Sequence, residues 1–108
     1  MSVGDYYILR HKIPVPCDLM TWAAWLEEHI AERIVKQECV GQFWISSVFI
    51  GLDHSLRRGP PLLFETMVFD QSDQEHGALA CWMERAPTWE MALETHERGV
   101  AWAREQLQ

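Results

Sequence analysis

Basic residues are scarce in this chain: nine lysines and arginines stand against sixteen aspartates and glutamates, a formal net charge of −7. That balance opposes a direct hold on nucleic acid, whose phosphates need clustered cations, and it favours solubility while leaving a basic partner surface possible. Cysteine is also scarce. Cys17, Cys39 and Cys81 are far apart and odd in number. There is no Cys-x-x-Cys, so neither a zinc ribbon nor a redox pair is indicated, and scattered thiols fit a reducing cytosol. No apolar run approaches a membrane span, and no basic-then-apolar leader opens the chain. Internal repeats, linkers and tracts too polar to fold are missing too. These absences predict a cytoplasmic protein with no metal, no cofactor, and no direct contact with nucleic acid or membrane.

What is abundant is apolar. Hydrophobic residues make up 48% of 108 residues, six of them Trp, so one domain can bury a core without a disulfide or a metal. The chain is organised around Phe43 to Asp70. Phe43 to Leu52 and Leu62 to Phe69 are rich in the aromatic and β-branched residues that suit a pleated, packed surface. Between them, Asp53 to Pro61 is polar and basic. Neither Pro60 nor Pro61 can donate to a ladder, so the second strand starts after them. The stretch reads as a long hairpin with a basic tip.

Upstream, Tyr6 to Leu9 is a short strand candidate that Arg10-His11-Lys12 interrupts. Ile13-Pro-Val-Pro-Cys17 is extended and suits a sheet edge or a loop. Asp18 stands where an N-cap belongs. Leu19, Trp22, Ala23, Leu26 and Ile30 recur at helical spacing and predict a helix from about Leu19 to about Val35, with Trp25 to one side of its buried stripe. Lys36 to Val40 fits either a short strand or a helix exit. Downstream, Asp70 to Gly77 reads as a turn and Ala78 to Arg85 as a third hairpin strand. Pro87-Thr88 opens a last helix, with Trp89, Ala92, Leu93, His96, Val100, Ala103 and Leu107 as its stripe. The order β, α, β-β-β, α predicts a single α+β domain, an antiparallel sheet of about four strands with two helices packed on one face.

Few residues offer chemistry. Asp53-His54 ends a strand, where a carboxylate beside an imidazole can position a base. The same pair also serves as a turn in which Asp53 caps its own backbone. Glu65 is a lone carboxylate in an apolar strand and needs an arginine, water or a ligand; Arg57, Arg58 and Arg85 are the arginines at hand. His96 suits a partly buried imidazole with one hydrogen bond. Together with His54 and Glu65 it would make an acid-base or metal site, at a spacing that matches no known ligand pattern. No context around a cysteine supports a Cys-His nucleophile pair. Arg57-Arg58 either grips phosphate or is a solvated tip. Trp22, Trp44, Trp82 and Trp89 fit core or element-start positions. Trp25 and Trp102 are the two expected to be exposed, as aromatics are at protein interfaces.

Taken together, Ile45-Ser-Ser-Val-Phe-Ile-Gly-Leu-Asp-His54, Gly59-Pro-Pro-Leu-Leu-Phe-Glu-Thr-Met-Val-Phe69 and Thr88-Trp-Glu-x-Ala92-x-x-x-His96 resemble a group of small bacteriophage and prophage proteins. Asp5-Tyr-Tyr-Ile-Leu9 and Pro14-Val-Pro-Cys17-Asp18 extend the resemblance over most of the chain. The tip departs from the group's Gly-rich pattern in carrying Leu56-Arg57-Arg58. The resemblance implies a phage-encoded protein acting in the cytoplasm of a bacterial host, and it implies no reaction. The leading expectation is a non-enzymatic binding protein that engages a host protein, for instance as a defence antagonist of the anti-CRISPR kind. A second is a small-ligand binder that sequesters a nucleotide signal with Arg57, Arg58 and an aromatic, Glu65 being the further ligand-binding candidate. A third is a small hydrolase using Asp53, His54 and Glu65.

Self-association is expected as well. The strand from Phe43 is apolar on both faces, and two helices cover one face of a four-stranded sheet but not both. A two-fold dimer buries the remainder. Phe43, Ile45 and Phe49, with Trp25 and Trp102, are the interface candidates.

Overall fold

The computed structural model describes residues 5–53 and 59–108; His54, Arg57 and Arg58 lie outside the described residues. The first element is a hairpin. Strand β1 (Tyr6–Arg10) pairs antiparallel with β2 (Ile13–Cys17), Arg10 opposite Ile13. His11 and Lys12 make the two-residue turn, both at positive φ, 53° and 68°, as the turn that matches strand twist requires. Pro14 and Pro16 are tolerated because β2 pairs with β1 alone in its two-stranded sheet.

Helix α1 (Leu19–Glu28) starts where Asp18 accepts the Thr21 amide at 2.7 Å. It stops well short of Val35. The His29 ring donates to the Trp25 carbonyl at 2.9 Å and closes the last turn. Four residues on, the Phe49 amide donates to the Arg33 carbonyl at 2.8 Å, which draws the chain into sheet register. Ile34–Val40 is therefore β3 of the main sheet. Long-range pairing overrides the helical periodicity here, because Ile34-Val35 and Val40 suit a strand as well as a helix.

The main sheet is β3, β4 (Phe43–Phe49), β5 (Phe64–Asp70) and β6 (Ala80–Ala86), antiparallel and in chain order. The fold is α+β, as predicted, but β3 holds the place expected for the Tyr6 strand. Beyond Phe49 the chain leaves the sheet and runs beside β1, with the Tyr7 amide donating to the Gly51 carbonyl at 2.7 Å. Gly51 sits at φ +67°, and a Cβ there would strike the Tyr7 carbonyl oxygen and the Trp22 indole nitrogen. Only glycine suits both the angle and the approach.

Helix α2 (Trp89–Gln106) is capped by Thr88, which accepts the Met91 amide at 3.1 Å. It lies across all four strands. Ala92, Thr95, His96, Gly99, Val100 and Ala103 make its buried stripe. Gly99 lets the helix approach closely, since a Cβ there would meet Trp82, Val68 and Thr66. Leu93 and Leu107, expected in that stripe, are exposed instead.

Helix α1 packs on β1 and reaches the sheet through Trp25, whose ring meets Phe49 edge-on at 5.8 Å. This corrects the interface expectation. Trp25, Phe43, Ile45 and Phe49 are buried within one chain, Ile45 and Phe49 completely. Trp102 is half-buried and stacks edge-on against Phe43 at 5.6 Å. Trp25 takes the inward place because Leu19 and Ile30, which set the expected stripe, are 41% and 65% exposed.

Candidate functional site

His96 has two strong partners inside the molecule. Its Nδ1 lies 2.7 Å from Ser47 Oγ, its Nε2 lies 2.7 Å from Glu38 Oε2, and Ser47 Oγ lies 2.6 Å from Thr66 Oγ1. Glu38 is a carboxylate that only accepts, so Nε2 donates to it. In the neutral tautomer Nδ1 accepts the Ser47 proton and Ser47 accepts from Thr66. Every group is satisfied with one proton per bond. Lys36 flanks the network, 3.4 Å from Glu38 and 3.0 Å from Glu97 of α2. The bond from His96, and Lys36 after it, hold the Glu38 carboxyl below the usual carboxylate range.

The atoms are those of a serine nucleophile, an imidazole base and an orienting carboxylate. The setting is not. Ser47 and His96 are fully buried between α2 and the sheet, so no substrate carbonyl reaches the hydroxyl. The network joins β3, β4 and β5 to α2 and acts as a structural clamp. Sequence reasoning singles out His96 and misses Glu38, Ser47 and Thr66. The available signal is phase: Ser47 and Thr66 stand at inward positions of strands that are otherwise apolar there.

Glu65 points to the opposite face. Its neighbour Thr66 faces α2, and successive strand residues alternate. Glu65 binds Arg85 at 3.0 Å from the adjacent position of β6; Arg57 and Arg58, the other two arginines considered, lie outside the described residues. Glu65 and His96 are thus separated by the sheet and form no common site. Asp53 Oδ1 accepts the Leu62 amide at 3.4 Å, and the Asp53 amide donates to the Asp5 carbonyl at 3.2 Å. Among the described residues no group of three or more His, Cys, Asp or Glu is placed to hold a metal ion. No helix among them is long and apolar enough to cross a membrane.

Two surfaces remain. The first is the sheet face away from α2. Its cross-strand rows are Cys39–Trp44–Phe69, Gln37–Ser46–Met67–Met83 and Val48–Glu65–Arg85. Trp44, Val48, Met67 and Phe69 are half-buried and Met83 is 49% exposed. The charges in these rows are Glu65 and Arg85, bound to each other.

The second surface is a cleft of about 740 Å³ where the β1–β2 turn, the end of α1 and the start of α2 meet. Arg10, His11, Lys12, His29, Glu32 and Trp89 are among its lining residues. The sequence reading treats Arg10-His11-Lys12 only as a break between strands, because nothing local shows that the turn folds over Trp89.

No family model, no curated protein and no solved structure matches this chain.

Proposed function

We propose that the protein is a non-enzymatic binding protein that works as a two-fold dimer, closed through the sheet face that no described element covers. The observation that carries the reading is the composition of that face: Trp44, Val48, Met67, Phe69 and Met83 around one mutually neutralised ion pair. Aromatic and Met enrichment with few free charges is the composition of interface cores. The occupant is a second copy. Two chains of net charge −7 repel through most of their surfaces, and this face meets its own copy without a like-charge clash. It measures about 23 Å along seven-residue strands and about 19 Å across four of them, about 440 Å² on each chain, the footprint of a small interface below the standard size. The burial of Ser47 and His96 favours binding over catalysis, because among the described residues the arrangement closest to a catalytic one has no access. The resemblance to phage-encoded proteins supports a protein target within the bacterial host.

Methionine oxidation tests the face. Met83 and Met91 are 49% and 46% exposed in one chain and lie on opposite sides of it. Under mild peroxide, read by peptide mass spectrometry, the proposal expects Met83 to oxidise several-fold more slowly than Met91. Equal rates at micromolar protein would contradict it.

A further inference from the structure

We propose that the cleft between the β1–β2 turn and the first turn of α2 binds a small phosphomonoester carrying a planar ring, a nucleoside monophosphate being the representative case. The inference is independent of the dimer. Its volume, about 740 Å³, lies inside the ~300–1,000 Å³ range of small-molecule sites.

Three observations converge on an anion. Arg10, His11 and Lys12 are consecutive at the mouth, in a chain where acids outnumber bases. Lys36, Arg85 and Arg98 are each spent on carboxylates, whereas Arg10 and Lys12 have no carboxylate partner among the described residues. Lys12 instead rests its ammonium 5.0 Å from the centre of the Trp89 ring. Such a contact at an open site is weak, so an arriving phosphate draws the cation away at little cost.

The turn itself is the second independent feature. His11 and Lys12 both hold positive φ, where Asn-Gly would sit with less strain. Strain of this kind is retained where side chains have a use. Here it places an imidazole and an ammonium together at one cleft.

The rest of the lining fits the organic part of the ligand. The His29 ring lies flat on Trp25, centroids 4.7 Å apart and planes 11° apart, and its Nδ1 is held by the Trp25 carbonyl. Its Nε2 has no partner among the described residues and is left for the ligand. Once Lys12 has turned to the phosphate, the Trp89 face that it covered is left for a ring to stack on. Glu32 supplies an acceptor for the hydroxyl or amino groups of a nucleoside.

Calorimetric titration of the whole protein tests this with adenosine monophosphate, adenosine and inorganic phosphate. The expected result is one site per chain for the monophosphate, with each fragment binding at least about tenfold more weakly. Arg10→Ala and Lys12→Ala should each weaken the monophosphate by about tenfold or more, with the melting temperature of the unliganded protein unchanged. Arg104→Ala, a cation at the far end of α2, should leave binding intact. Absence of binding at millimolar monophosphate overturns the proposal. So does phosphate binding as tightly as the nucleotide, or equal weakening by Arg104→Ala and Lys12→Ala.

Discussion

Ser47 and His96, forty-nine positions apart in sequence, share a 2.7 Å hydrogen bond in the dry space between sheet and helix. That bond fixes the rotation of α2 on the sheet, because the imidazole must also reach Glu38 on β3. A purely apolar contact would permit several rotations; a bond with two partners permits one.

Ser47→Ala should therefore destabilise the fold by about 1–3 kcal/mol, the cost of leaving the His96 nitrogen and the Thr66 hydroxyl without a partner. Urea unfolding measures it, and the midpoint should fall without a change in slope. An unchanged midpoint would mean that the clamp adds nothing.

The clamp also has a pH signature. The Glu38 carboxyl is held below its usual range, by the His96 bond first and the neighbouring Lys36 charge second. A carboxyl whose folded pKa lies below its unfolded value, about 4.3 for Glu, adds stability that is fully present above that value. The contribution is lost as pH falls through the folded pKa. Glu38→Gln keeps an acceptor for His96 but no charge. The stability gap between wild type and this variant should be widest above about pH 4.5 and should close in more acidic solution. A gap that stays constant down to pH 3 would rule out the charge as its source.

Trp25→Ala should cost about 3–5 kcal/mol, because it empties the junction where α1 meets Phe49 and the sheet. Thermal unfolding reads the loss. If Trp25 were an interface residue, as exposed aromatics suggest, the substitution would spare the melting temperature of the monomer and change only association.

How far the sequence is legible follows from the range of each interaction. The hairpin from Phe43 to Phe69 is plain, since its two strands and their proline boundary are all local. Asp18 and Thr88 are recognisable caps for the same reason. The helix end is not, because Arg33 is held by Phe49 across sixteen positions. Trp25 is misplaced because that early end removes Ile30 from the stripe. His96 stands out as a polar residue on an apolar face, but its partners lie on three strands and carry no motif. The cleft is hidden altogether: Arg10-His11-Lys12 and Trp89 come together only when the first hairpin folds back on α2.

Sedimentation equilibrium on wild type and Met67→Glu reads whether the chain pairs through the sheet face away from α2. Met67 sits in the middle row of that face, between Ser46 and Met83. Wild type at micromolar concentration should have twice the 12.6 kDa mass of the chain. The variant, with two uncompensated carboxylates facing each other across the two-fold axis, should sediment as a folded monomer. A wild-type monomer at every accessible concentration, or a dimer that Met67→Glu leaves intact, would contradict closure through this face.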